Sequence, residues 1–276
     1  MKKYNNELLK YGHKEGNTFK GLMPNTIEIL GGIGSTNVSV KFHGVEAKGM
    51  DTLEVVNVND LFENYTPDFT QEKVVLLTNY NPTEPITITS ELTLNLNGKK
   101  IVGPLLDENG IPTNDESKIS DSYGLWVKDG GKITINGEGV IESRNAKYSM
   151  AIWANGGKVT INGGTFVNHG DGCDLIYASK GGYVEIYGGE FKATEYKGIE
   201  SGTGNAHSAL NIKNSDRANS DIIVYGGRFY GFDPAHNVSE PNPSEEWLAT
   251  HPNGFVAEGY ESVEVEPNVW EVRKLN

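Results

Sequence analysis

Cysteine, positive charge and long apolar runs are all scarce in this chain. Its one cysteine, Cys173, excludes a disulfide within the chain and a cysteine-based zinc site. The simplest interpretation of Cys173 is a small buried apolar residue. No segment approaches the roughly 18 consecutive apolar residues of a membrane span, and residues 1–21 lack the apolar core of an export signal. We therefore expect no membrane insertion and assembly in the cytoplasm.

The shortage of positive charge limits the partners. The chain has 24 lysine and arginine residues against 37 acidic ones, a formal net charge of −13, and no long basic run. Nucleic-acid binders carry basic patches, so we expect no nucleic-acid partner. The six histidines are scattered without a pair at ligand spacing, and no calcium loop or glycine-rich phosphate loop is present. The sequence therefore predicts no metal site and no cofactor.

Glycine, by contrast, is abundant, with 34 residues, and it marks an internal repeat. Each copy reads as a strand, an Asn-Gly or Tyr-Gly turn, and a second strand. We take the residue before the glycine as the marker of each copy. Four strong copies have the markers Asn136, Asn162, Tyr187 and Tyr225, and the first three of these are 26 and 25 residues apart. A weaker copy that precedes them has the marker Asn97. Longer steps at both ends indicate inserted loops near 105–123 and 194–220.

Alternation within each copy predicts which side chains point inward, because successive strand residues face opposite sides. Pairs such as Ile133/Ile135 and Val159/Ile161, with Leu94/Leu96 in the weak copy, should stack inside. The second strand of each copy should add one large residue to the same interior, in chain order Ile101, Val140, Phe166, Phe191 and Phe229. Steps near 25 residues favour a coil over a β-propeller or a β-sandwich. We predict an all-β fold, a right-handed parallel β-helix of about five coils spanning residues 71–232.

The ends of the chain do not repeat. Residues 1–30 are polar and aperiodic and read as an N-terminal anchoring segment, and residues 31–70 read as a small β-rich cap or attachment region with a helical turn near 59–65. Residues 233–276 should form a Pro-rich loop followed by a β-hairpin-like C-terminal cap turning at 266–268. Both ends of a stacked interior need such cover, because they would otherwise expose unpaired backbone and apolar side chains.

One column of the repeat is aromatic. Trp126, Trp153 and Tyr177 share a position that should point outward if Leu125 and Val127 point inward. Stacked strands would then carry them as an external ladder with a rise of about 4.8 Å. Exposed aromatic stripes mark interaction sites. Three interpretations stay open: an interface between identical chains, cover by the chain's own insertions at 105–123 or 194–208, and a platform for glycans.

Catalytic chemistry has one candidate, the segment Asn168 to Asp174, in which His169, Asp171 and Asp174 could place carboxylates and an imidazole near a sugar. Residues of these types are also the usual components of a tight turn, so a hydrogen-bonded loop is the favoured interpretation. The chain contains no GxSxG elbow and no Ser/His/Asp arrangement supported by spacing. The sequence therefore predicts no catalytic residue.

The repeat segment GGKVTINGGTF and the terminal segment FVAEGYESVEVEPNVWEV resemble the β-helical fibre and appendage proteins of tailed bacteriophages and related surface β-helices of gut bacteria. The resemblance covers about 150 residues and implies a homotrimeric virion fibre, attached to capsid or tail proteins by its N-terminal segment. It also implies a β-helix displayed towards the host or towards mucosal glycans. No catalytic motif of a tailspike glycosidase or a lyase can be carried over.

The leading hypothesis is thus a structural head or tail fibre of a virion. One alternative is a carbohydrate-active β-helix, a polysaccharide lyase or depolymerase, with its site on a strand face or in the loops at 105–123, 168–174 and 194–208. Another alternative is a glycan-binding module without catalysis, in which Trp153 would be required for sugar binding.

Overall fold

Strands account for most of the regular structure in the computed structural model of this chain. The model describes residues 66–169, 174–192, 208–236 and 245–275, together with the backbone of five short strands near the N-terminus. Contacts divide the chain into two units, Met1–Pro67 and Asp68–Asn276. The predicted helical turn near 59–65 and the insertion at 194–207 lie outside the described residues, as do Asp171 and Cys173.

The first unit contains two small antiparallel groups of strands in its described part. β1 pairs with β2, and β4 pairs with both β3 and β5. Their bounds are β1 Gly12–Glu15, β2 Thr18–Gly21, β3 Ile27–Leu30, β4 Ser39–Phe42 and β5 Val45–Glu46.

The second unit holds the remaining strands, one short α-helix and two 3-10 turns at Glu116–Lys118 and Asn214–Asp216. In chain order the elements are β6 Lys73–Val75, β7 Thr87–Ile88, β8 Glu91–Asn95, β9 Lys99–Val102, β10 Asp121–Lys128, β11 Lys132–Asn136, β12 Gly139–Glu142, β13 Tyr148–Asn155, β14 Lys158–Ile161, β15 Thr165–Val167, β16 Asp174–Ser179, β17 Tyr183–Ile186, β18 Glu190–Lys192, β19 Ser208–Ile212, β20 Asp221–Val224, β21 Gly227–Tyr230, α1 Glu245–Thr250, β22 Tyr260–Glu266 and β23 Val269–Lys274.

These strands form three sheets, each ordered along the sequence. Sheet 1 has the order β19-β16-β13-β10-β7, sheet 2 the order β20-β17-β14-β11-β8-β6, and sheet 3 the order β22-β23-β21-β18-β15-β12-β9. From β7 to β21 the chain visits sheets 1, 2 and 3 in turn, and every neighbouring pair among these strands is parallel. The predicted all-β class with parallel sheets is confirmed, and the arrangement is compatible with a β-helix.

The interior is built from the alternate residues that the repeat predicts. In sheet 2, Ile133 pairs with Val159 and Val159 with Val184, and all three are buried. In sheet 3, Phe166, Phe191 and Phe229 are in register and fully buried. The side chains of all three sheets belong to a single apolar cluster. Burial of one face of every strand is therefore the main stabilising contribution, since each buried aliphatic side chain supplies about 1.5–3 kcal/mol.

The first copy of the repeat has a different register from the one predicted. Leu92 and Leu94, rather than Leu94 and Leu96, pair with Ile133 and Ile135. Asn95, not Asn97, therefore occupies the marker position beside Asn136. The cause is a longer turn, in which Asn97 adopts a positive φ of 49° and the amide of Lys99 donates to the carbonyl of Leu96.

The predicted inward residue of β12 is also wrong. Ile141, rather than Val140, pairs with Ile101 and Phe166 and is fully buried, whereas Val140 is half-buried. The turn before β12 is Gly137-Glu138-Gly139, which is one residue longer than the Gly163-Gly164 turn of the next copy. Because strand side chains alternate, one extra residue moves the inward position by one.

At the C-terminal end, β22 and β23 form the antiparallel hairpin that the sequence predicts, and β23 pairs with β21. The preceding stretch is not entirely loop, because α1 forms where only a loop was expected. Trp247 explains this helix. Its side chain is buried and packs against Phe255, which in turn contacts Phe232. The apolar interior therefore continues past the last parallel strands.

Candidate functional site

The predicted aromatic column lies on the outer face of sheet 1. Trp126 pairs with Trp153, and Trp153 with Tyr177, while the flanking Leu125 and Val127 are fully buried inside. All three aromatic side chains are half-buried. Asn211 of β19 takes the next place in the column. The residues selected from the sequence are thus brought together, on the face expected.

The rings of Trp126 and Trp153 stack face to face. Their centroids are 5.1 Å apart and their planes differ by 5°. Tyr123 leans against Trp153 with a centroid distance of 5.0 Å, and the ammonium of Lys128 lies 4.4 Å from the centroid of the Trp126 ring. Aromatic pairs of this kind contribute about 0.5–1.5 kcal/mol beyond the area that they bury. The column is therefore a packed structure with little free ring face.

Part of its cover comes from the insertion at 105–123. Leu106, Tyr123 and Met150 form a small buried cluster, against which Trp153 and Tyr177 pack. Leu106 is held over the sheet because its backbone bridges both Pro112 and Asp121. Of the three interpretations left open by the sequence, this geometry favours cover by the chain's own insertion. A role as a ligand-binding or interface surface stays a prediction.

Some polar groups along the column have hydrogen-bond partners and others have none. The indole N–H of Trp153 donates to the Ser179 hydroxyl at 2.9 Å. The amide of Asn211 donates to Asp174 at 2.8 Å. The indole nitrogen of Trp126 and the amide oxygen of Asn211 are buried without a hydrogen-bond partner. A buried unpaired polar atom costs about 1–3 kcal/mol, so both ends of the column carry unsatisfied hydrogen-bonding capacity.

Replacing Trp153 by alanine tests this description. We expect the free energy of unfolding to fall by about 2 kcal/mol, because the variant loses two aromatic contacts and partly uncovers the Leu106 cluster. The near-ultraviolet circular dichroism of the stacked indoles should disappear as well. Tyr148→Ala, which removes a more exposed aromatic residue of the same strand, is the control and should change stability by less than about 0.5 kcal/mol. Equal stability of the two variants would contradict the packed column.

Only part of the catalytic candidate, the segment 168–174, lies within the described residues. His169 is half-exposed and its Nε2 lies 3.6 Å from a Glu142 carboxylate oxygen, while Asp174 accepts from Asn211. Asp171 lies outside the described residues. In the described part of the chain no group of three or more histidine, cysteine or acidic side chains could hold a metal. No helix among the described residues is long and apolar enough to cross a membrane.

A second column of polar and aromatic side chains lies at the corner after sheet 2, and we name it the corner column. Its members occupy the repeat's marker position on successive strands and follow the order Asn95, Asn136, Asn162, Tyr187 and Tyr225. The amide of Asn162 donates to the amide oxygen of Asn136 at 2.8 Å. Tyr187 and Tyr225 stack with centroids 4.7 Å apart. Two neighbouring pairs along the corner, Asn136 with Asn162 and Tyr187 with Tyr225, are therefore in side-chain contact.

Sequence reasoning used these residues to align the copies and missed them as a site. The available signal was the change from asparagine to tyrosine at one repeated position. Tyr187 is 48% exposed, unlike the half-buried tryptophans of sheet 1. Beside it, burial together with the Glu185 carboxylate raises the pKa of Tyr183 to about 12. Tyr183 therefore keeps its proton, and its neutral hydroxyl, at every physiological pH.

No family model, curated protein or solved structure matches the chain.

Proposed function

We propose that this chain is a structural fibre subunit of a tailed-bacteriophage virion, a head or tail appendage that displays a rigid β-helix for attachment to the host or to glycans. Residues 1–30 would anchor it to a capsid or tail protein, with residues 31–70 as the attachment region. The observation that carries the proposal is the single apolar interior that the described residues between 71 and 232 share, with three sheets whose strands stack copy on copy. Such a stack is stiff along its length and suits a fibre.

The finer architecture is part of the same proposal. A chain that returns to the same sheet by parallel crossovers winds right-handed in almost every known case. On this proposal the passage through sheets 1, 2 and 3 from β7–β9 to β19–β21 would make about five coils. Phe232, Trp247 and Phe255, together with the β22–β23 hairpin, would cap the C-terminal end.

The paired charges on the outer faces of the sheets are consistent with a scaffold that binds little along most of its length. On the outer faces, Lys158 pairs with Glu185 at 2.8 Å and Lys100 pairs with Glu142 at 3.2 Å, in each case between different strands of one sheet. Exposed pairs contribute little stability, about 0–1 kcal/mol each. Their effect is to neutralise charge locally along the stack. A surface of this kind suits a scaffold on which attachment is confined to a few places.

Sedimentation equilibrium of the full chain tests the proposal. Virion fibres of the type that the sequence resembles are trimers, so we expect the mass of three chains at micromolar concentration. Crosslinking of the native particle should join residues 1–30 to a capsid or tail protein. A stable folded monomer that acquires no such crosslinks would refute the fibre role.

A further inference from the structure

The exposed part of the corner column adjoins a flat polar surface. On the outer face of sheet 2, β14 presents Lys158 and Thr160 and is followed by Asn162. The neighbouring β17 presents Tyr183 and Glu185 and is followed by Tyr187. Register places Thr160 beside Glu185, and Asn162 beside Tyr187. The preceding strand adds Thr134 and Asn136 in the same two columns.

Tyr187 is 48% exposed and has one ring face stacked on an aromatic neighbour; we call the other ring face its open face. Tyr225 stacks on it from the side of β20, with the planes 5° from parallel. The opposite face looks along the column towards Asn162, whose side chain is short and exposed. No aromatic ring of the described residues stacks on that second face. An exposed ring standing at the end of a polar surface is thus available to a ligand, in contrast to the mutually stacked Trp126 and Trp153.

The groups around the open face are polar but carry no unpaired charge. Asn162 donates to Asn136, which leaves its own amide oxygen to accept from a ligand. Thr160 and Thr134 supply hydroxyl groups that both donate and accept. The nearest charges, Lys158 and Glu185, neutralise each other at 2.8 Å, and the Tyr187 hydroxyl also donates to Glu185 at 3.4 Å. With a net charge of −13 on the chain, an acidic glycan would be repelled over long range.

We propose that the open face of Tyr187, with Asn162, Asn136 and Thr160, binds a neutral pyranose unit of a glycan. One face of a pyranose consists of C–H groups, which match the negative face of an aromatic ring. Its edge consists of hydroxyls, which match amide and hydroxyl side chains. This inference deepens the proposed function, on which it rests, by giving the fibre a ligand class and a site.

The test is binding of neutral oligosaccharides to the full chain by saturation-transfer NMR and titration calorimetry. The probes are maltohexaose, cellohexaose and mannohexaose, with hexagalacturonic acid as the acidic comparison. We expect at least one neutral probe to bind and the acidic probe not to. Tyr187→Ala should weaken binding about tenfold, equivalent to about 1.4 kcal/mol, while Tyr187→Phe keeps the ring face and should bind within about twofold.

Tyr148→Ala is the matched control, because Tyr148 is also exposed but lies on sheet 1, and it should bind like the parent chain. Absence of binding by all three neutral probes would overturn the inference, as would equal binding by Tyr187→Ala. Dissociation of the oligomer in Tyr187→Ala would instead make this tyrosine a subunit contact and overturn it too. A monomeric chain that acquires no crosslinks to a capsid or tail protein but binds a neutral probe through Tyr187 would refute the fibre role and leave the glycan site standing.

Discussion

Replacing Phe191 by alanine is expected to lower the free energy of unfolding by about 4 kcal/mol, the middle of the range for a buried phenylalanine. Phe191 is fully buried in the middle of a stack of three rings. Its ring centroid lies 5.1 Å from that of Phe166 and 4.6 Å from that of Phe229. The variant therefore loses contacts on both ring faces and leaves a cavity that the adjacent strands cannot close without breaking their hydrogen bonds. Urea denaturation followed by far-ultraviolet circular dichroism measures the change.

Phe191→Leu separates the cavity from the general loss of apolar surface. Leucine fills most of the volume, and we expect it to cost about half as much as alanine. A cost below about 1 kcal/mol for Phe191→Ala would mean that the stack is not a core and that the three sheets do not enclose one interior.

Gly182→Ala is expected to cost about 3 kcal/mol, at the upper end for overpacking. Gly182 lies in the turn between β16 and β17, where its amide donates to the carbonyl of Ser179. A Cβ atom at this position would stand 2.0 Å from the carbonyl oxygen of Ala154 in the preceding copy. Because the obstacle is backbone, it cannot move aside as a flexible side chain would. Thermal and urea unfolding of the variant give the cost.

Gly98→Ala is the control, because Gly98 is required for its positive φ and not for lack of space around a Cβ atom. Gly98 has a positive φ of 68° but nothing within 4 Å of an added Cβ atom. A left-handed backbone with a side chain costs about 1–2 kcal/mol, so this variant should lose clearly less than Gly182→Ala. If the two costs were reversed, the copies would be spaced more widely at the Gly182 turn than the structure places them.

The strands and their inward faces were predictable from sequence because a period of two is a direct consequence of strand geometry. Pairs such as Val159/Ile161 and Val184/Ile186 occupy the interior as expected. What the pattern could not give was the length of each turn. The Asn-Gly motif looks the same at Asn97 and Asn136, yet the two asparagines hold different structural positions, since glycine follows wherever the turn needs a positive φ.

Helix α1 was missed for a related reason. Six residues between prolines have little intrinsic helical tendency, and the helix depends on burial of Trp247 against Phe255. Tertiary contacts of this kind leave no periodic trace in a short segment. The same holds for Leu106, whose cover of the tryptophan column requires a loop to fold back across sheet 1.

For the candidate sites, the sequence predicted the position of the aromatic residues but not the accessibility of their rings. Alignment placed Trp126, Trp153 and Tyr177 in one column, and the register agrees. The accessibility of a ring face, however, depends on ring orientation, which the alignment does not contain. The tryptophans stack on each other and are half-buried, whereas Tyr187 is 48% exposed at a position that served only as an alignment marker.

The strand at the outer edge of sheet 3 bears on polymerisation. A stack of parallel strands offers its last strand as a template on which a further copy could continue the sheet without end. Here the β22–β23 hairpin reverses the strand direction, and the outermost strand, β22, carries Glu261, Glu264 and Glu266. Charged side chains on an edge strand oppose strand addition. The hairpin therefore ends sheet 3 with an acidic antiparallel strand, which is a poor template for a further parallel copy.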